Sequence, residues 1–310
     1  MKEKQIKTDR LIELLKYCFD EVNKYLEDDN VIEIMLNPDK KLWIDTLTEG
    51  RKDTGVIVEP SKAMSIINTV ASHMKTVIDK KNPTLSAELP QSGSRFEAVL
   101  TGANPVFTIR KKAILVFTLD DYVKNENLTT TQKTIILDSV KNKKNLLIVG
   151  GTSTGKTTFA NACIEEISKL EERIVILEDT EELQSTAKDT VALKTTDYAD
   201  LKKLLKSTMR LRPDRIIVGE IRDGVALDLL TAWNSGHPGG LTTIHSDSAI
   251  GGLKQLEQYI QRVSVSKQEE LIAKVVDIII VLERIGVQRK ITSITKVEGY
   301  RNGEYLLNEI

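Results

Sequence analysis

Asn145-Leu-Leu-Ile-Val-Gly-Gly-Thr-Ser-Thr-Gly-Lys-Thr-Thr158 decides how the rest of the chain is read. An apolar run, Leu146–Val149, stops at glycine and hands over to a helix-forming segment, Thr157–Leu170. Between them lies G-x-x-x-x-G-K-[ST], with Gly150, Gly155, Lys156 and Thr157 at the defining positions. In a strand–turn–helix setting this pattern predicts a phosphate-binding loop. The glycines let the backbone curl so that successive N–H groups face an anion, and the helix N-terminus adds partial positive charge. Gly150, Gly151, Thr152, Ser153, Thr154, Gly155, Lys156, Thr157 and Thr158 are the expected binding set. Lys156 is placed to reach the β- and γ-phosphates of ATP, and the Thr157 hydroxyl to ligate Mg²⁺.

Working outward, 310 residues suggest about two domains. Aromatics make up only 5%, so the cores must be mostly aliphatic, and a net charge of −1 gives no strong nucleic-acid signal. Cys18 and Cys163 are far apart and read as reduced core residues. The charged N-terminus has no signal-peptide pattern, and no apolar run is long enough to span a bilayer.

Upstream, residues 9–27 carry a helical apolar stripe, and strands are expected at Val31–Leu36, Lys41–Asp45 and Val56–Val58. A helix over Pro60–Val77 and alternating strands at Ser94–Leu100 and Phe107–Lys111 complete a small α+β domain, residues 1–118. Arg95 and Arg110 fall on the last two strands; on residue type alone they read as surface charges. The polar stretch 119–128 is the expected linker. From Thr129, with Gln132 at capping-box spacing, helices alternate with buried strands. The strands are Leu146–Val149, Ile174–Leu177, Arg215–Val218, Leu241–Ile244 and Val276–Leu282. That order predicts an α/β domain, 129–310, with a mainly parallel sheet. A hairpin turned at Arg301-Asn302-Gly303 closes it.

Three stretches after the loop carry chemistry. Glu178-Asp179-Thr180-Glu181-Glu182 follows a buried strand, where a carboxylate can hold the Mg²⁺ shell or orient water; a solvated acidic loop is the alternative. Arg215–Glu220 (Arg-Ile-Ile-Val-Gly-Glu) is Walker-B-like and aims Glu220 at metal and water, with Arg210, Arg212 and Arg222 adding positive charge. Gly236-His237-Pro238-Gly239-Gly240 leads through a short strand to His245, which can sense a γ-phosphate.

Phosphate loop, acidic box, Walker B and His box, in this order, resemble the traffic ATPases of type II and type IV secretion systems. Met35-Leu36-Asn37-Pro38, Leu42-Trp43-Ile44-Asp45, Ser86–Pro90, Arg95-Phe96-Glu97 and Phe117–Tyr122 extend the resemblance to their conjugative branch. The resemblance implies a RecA-like P-loop domain behind a smaller N-terminal domain. It also implies a homo-hexamer in the cytoplasm, on the inner face of the inner membrane. There it would hydrolyse ATP to drive pilus assembly and substrate or DNA transfer with inner-membrane components. It makes Lys156, Glu182, Glu220, Arg212 and His245 catalytic, with Arg212 on the phosphate side, and turns Arg95 and Arg110 into nucleotide-site arginines. Thr157, Glu178 and Glu220 become the metal set. A nucleotide-gated assembly scaffold and a DNA translocase are the rival readings.

Overall fold

The computed structural model describes residues 13–90, 92–100, 102–112 and 116–310; the start of the expected 9–27 helix lies outside them. The chain divides between 114 and 115 into two compact units.

The first unit is a six-stranded antiparallel sheet in the order β3-β2-β1-β6-β5-β4. The strands are β1 Val31–Leu36, β2 Lys41–Thr46, β3 Gly50–Ile57, β4 Thr84–Glu88, β5 Arg95–Val99 and β6 Val106–Arg110. Alternation puts Ile34, Leu36, Leu42, Ile44, Phe96, Ala98, Phe107 and Ile109 on one face. Helix Pro60–His73 covers that face with Ala63, Ile66, Ile67 and Val70. The helical stripe before β1 breaks at a 3₁₀ turn, Asp20–Val22, and contributes Leu15, Phe19 and Val22 to the same core.

The second unit is an eight-stranded sheet, β14-β13-β12-β7-β11-β10-β8-β9. Here β7 is Leu146–Gly150, β8 Ile174–Glu178, β9 Thr190–Lys194, β10 Arg215–Glu220 and β11 Leu241–Ile244. β12 is Ile278–Ile285, β13 Gln288–Arg301 and β14 Glu304–Glu309. β12 through β9 are parallel; β13 and β14 add an antiparallel edge. The near-continuous apolar runs reflect burial on both faces. Leu147 and Val149 of β7 enter one core, Leu146 and Ile148 the other, and β8, β10 and β12 divide in the same way. The phosphate-loop helix, Lys156–Ser168, fills the second core with Phe159, Ala160, Cys163 and Ile164. Burial pushes the Cys163 thiol up, so it is inert, and both cysteines are free.

The unit boundary falls ahead of the expected domain end at 118, and 119–128 differs from the expected linker. Leu119–Lys124 is a helix with a Thr118/Asp121 capping box, and Leu119, Tyr122 and Leu128 are buried in the second unit's core. Its polar residues are the solvent face of a short amphipathic turn. Helix Thr130–Lys141 starts as expected: Gln132 N–H donates to Thr129 Oγ1 at 3.1 Å, and Thr129 N–H to Gln132 Oε1 at 2.9 Å.

Candidate active site

Parallel strands present their C-terminal ends along one edge, and that edge gathers most of the expected residues. Register places Val149 beside Ile244, Thr243 beside Glu220, and Val218 beside Leu177. Gly150 ends β7, Glu178 ends β8, Glu220 ends β10, and His245 follows β11.

The loop itself needs its glycines for different reasons. A Cβ at Gly150 would stand 2.5 Å from Thr154 Oγ1 and 2.7 Å from Leu282 O. Gly155 has φ +87°, a conformation that L side chains rarely adopt, and caps the helix. Thr154 Oγ1 donates to Gly151 O at 3.0 Å. Gly151 and Thr152 are exposed at the loop's crest; Ser153, Thr157 and Thr158 are half-buried.

Lys156 is buried, and its Nζ donates to Gly150 O at 2.8 Å and Gly151 O at 2.9 Å. It also lies 3.2 Å from His245 Nδ1. An ammonium can only donate, so Nδ1 accepts and a neutral ring carries its proton on Nε2. Nε2 lies 2.8 Å from Glu220 Oε1. That oxygen is buried and accepts no well-directed hydrogen bond, so the contact is electrostatic and the acceptor capacity remains. Arg222 holds the other oxygen through Nε at 3.0 Å and Nη2 at 2.6 Å. The hydrogen bond to Glu220 raises the guanidinium above its ordinary range.

The acidic box is organised by its own first residue. Glu178 is buried, and its Oε1 accepts the N–H groups of Glu182 at 3.0 Å and Leu183 at 2.9 Å. Gly219 leaves room for it, since a Cβ there would stand 3.0 Å from Glu178 Cγ. Asn161, on the phosphate-loop helix, completes the clamp: Nδ2 donates to Glu182 O at 3.1 Å and Oδ1 accepts Gln184 N–H at 2.9 Å. No motif pointed to Asn161. Its only signal is a polar residue inside the apolar run Phe159–Ile164. Arg289 of β13, likewise without a motif, donates from Nε to Ser153 O at 3.3 Å.

Arg212 and the His-box glycines are not at this edge. Arg212 precedes β10, beside Arg173, whose Nε donates to Leu211 O at 2.8 Å just ahead of β8. The strand from Arg215 to Glu220 separates it from the site by about 17 Å at ~3.3 Å per residue. The resemblance puts Arg212 on the phosphate side; within its own chain it is exposed at the opposite edge of the sheet. The glycines of the His box lie there too. Gly239 and Gly240 N–H groups donate to Asn145 Oδ1, and Gly239 O accepts from the fully buried Arg215. They seat Arg215 and Trp233, and only the box's last residue, His245, reaches the phosphate loop.

Comparison with known proteins identifies the family and the fold. The family described as "Type II/IV secretion system protein" matches residues 22–290. Conjugal transfer protein TrbB of Rhizobium radiobacter is 47% identical over 284 residues, covering 90% of this chain and 88% of the relative. Type IV secretion system protein VirB11 of Bartonella henselae is 30% identical over 341 residues, covering 93% and 94%. The crystal structure of the Legionella pneumophila ATPase DotB shares the fold, with a TM-score of 0.61 at 16% identity over 92% of this chain and 79% of that one. The chain belongs to the type II/IV secretion ATPase family, in its TrbB/VirB11 branch.

Proposed function

We propose that this ATPase works as a Mg²⁺-dependent homo-hexamer, held peripherally at the cytoplasmic face of the inner membrane by components of a conjugative type IV secretion machine. There it drives pilus assembly and substrate or DNA transfer. Its similarity to a conjugal transfer protein supports the setting. Among the described residues no helix is long and apolar enough to cross a membrane, which is consistent with peripheral attachment. The observation that carries the chemistry is the contact chain Lys156–His245–Glu220 beside the phosphate loop.

The donor set fits Mg²⁺: the Thr157 hydroxyl at the helix start and the buried, undirected Glu220 Oε1 are hard oxygen donors. The ion, when bound with the triphosphate, neutralises charge on the β- and γ-oxygens. Glu178, with one oxygen committed to two amides, serves the acidic loop first and the ion at most through its other oxygen. Lys156 must leave the Gly150 and Gly151 carbonyls to meet the γ-phosphate. Glu182, presented by the Glu178–Asn161 clamp, is the second carboxylate for orienting water.

Arg95 and Arg110 supply the remaining cations of this proposal. They are direct cross-strand partners on β5 and β6, flanked in register by Glu88 and Glu33.

Lys156→Ala should abolish turnover in a folded protein, and a wild-type rate in that variant would remove the site assignment. Light scattering with and without Mg-ATP should show a six-chain particle. A strict monomer in both conditions would sink the hexamer.

A further inference from the structure

We propose that Arg289 is a positioning residue that holds the phosphate loop in its anion-ready arch from outside. The inference rests on reading that loop as the ATP site. β12 runs beside β7 with Leu282 level with Gly150, continues to Ile285, turns at Gly286 (φ +64°) and returns as β13. Leu282 and Ile291 are register partners in the core that the phosphate-loop helix fills. Alternation puts Arg284 and its partner Arg289 on that same side, just beyond the sheet edge.

Two contacts join Arg289 to the loop. Its Nε donates to Ser153 O at 3.3 Å. Its aliphatic stem lies against Gly155: a Cβ there would stand 2.8 Å from Cδ and 3.7 Å from Cβ and Cγ. Ser153 and Gly155 both have left-handed φ, +60° and +87°. For Ser153 that conformation costs about 1 kcal/mol, so something must over-determine it.

The consequence follows from peptide geometry. A trans peptide points its C=O and N–H in opposite directions. Fixing the Ser153 carbonyl outward, toward Arg289, turns the Thr154 N–H inward, among the amides that face a phosphate. The loop is then pre-organised before nucleotide arrives, and less ordering is left for binding to supply. Lysine cannot replace arginine here, because its only donor sits at the end of the stem and not at the Nε position.

The test uses the full chain with Arg289→Gln and Arg289→Lys. Hydrogen exchange of amides 151–156 without nucleotide should quicken in both variants, while Tm moves by only about 2–4 °C. In steady state, KM for ATP should rise ~10-fold in both, the loss of one charge-assisted hydrogen bond, with kcat little changed. Unaltered exchange together with unaltered KM would overturn the proposal. So would full recovery by Arg289→Lys, which would mean that charge alone matters, or a fall in kcat at constant KM. Exchange needs no nucleotide, so it tests Arg289 even if wild-type protein fails to hydrolyse ATP, a result that would count against the ATP-site reading instead.

Discussion

Lys156 Nζ and Glu220 Oε1 are joined through one imidazole: His245 Nδ1 stands 3.2 Å from the first and Nε2 stands 2.8 Å from the second. In the proposed mechanism, the side chain that moves to the γ-phosphate and the carboxylate that acts in hydrolysis therefore share a partner. Glu220→Gln should retain ATP binding and lower kcat by about 10²-fold, the scale of a lost electrostatic group. His245→Ala should lower it by ~10-fold, a smaller loss because it removes only the link. In one network, the double variant should be no slower than Glu220→Gln alone. A double variant as slow as the product of the two single effects would show that His245 acts independently.

Asn161 is 1% exposed and holds Glu182 and Gln184 through both ends of its amide. Asn161→Ala removes both of these hydrogen bonds to half-buried backbone groups, at a cost of about 1–2 kcal/mol. Urea unfolding should show that loss as a lower midpoint at unchanged slope. Turnover should fall as well, because the acidic loop loses its attachment to the phosphate-loop helix. Normal turnover in the destabilised variant would separate the clamp from catalysis.

The glycines of the His box make a contrasting case. A Cβ at Gly240 would stand 2.1 Å from Trp233 Nε1 and 2.5 Å from Ile216 O, two groups already bonded to each other at 3.1 Å. Gly240→Ala should cost about 3 kcal/mol by overpacking and yield poorly folded protein. At the Asn302-Gly303 turn, Gly303 has φ +86° and nothing within 4 Å of an added Cβ. Gly303→Ala should cost only the backbone strain, about 1 kcal/mol. Thermal melts of the two variants would separate packing from conformation; equal losses would contradict the assignment of Gly240 to the Trp233 seat.

What could be read from residues alone follows from where the information lies. The central strands β7, β8, β10 and β12 announce themselves because burial on both faces demands unbroken Val, Ile and Leu. The unforeseen strands, β4 and β9 and most of β3, are all sheet edges. Their sequences, Thr-Leu-Ser-Ala-Glu, Thr-Val-Ala-Leu-Lys and Gly-Arg-Lys-Asp-Thr-Gly, are half-solvated and lack a strong period. At the site, Lys156, Glu220 and His245 were legible because each ends or follows a recognisable strand. Arg212, put on the phosphate side by the resemblance, stands a full strand length from Glu220 of its own chain, a separation that nearness in sequence conceals. Asn161 and Arg289 belong to no pattern: what identifies them is the carbonyl or amide each one meets, and that contact is tertiary.

Glu172 offers a pH test of the opposite edge. Burial pushes its carboxyl up, but hydrogen bonds from Lys143 and Arg215 outweigh this and hold it below the usual carboxylate range. Lys143 Nζ lies 2.8 Å away, and Arg215 Nε donates to the second oxygen. Arg215 is 1% exposed and also bonds Val140 O and Gly239 O, so it cannot move out to water. A folded-state pKa below the unfolded one means that the unfolded chain takes up the proton first. The contribution of Glu172 is thus fully present above about pH 4.3, the unfolded glutamate value, and is lost as pH falls through the lower folded value. Glu172→Gln leaves a buried guanidinium without its counter-charge and should cost about 3 kcal/mol at neutral pH. Stability of the two proteins, followed by denaturant midpoint from pH 7 down to the onset of acid unfolding, should converge at the acid end. Parallel curves would mean that the Arg215–Glu172 pair contributes nothing that titrates.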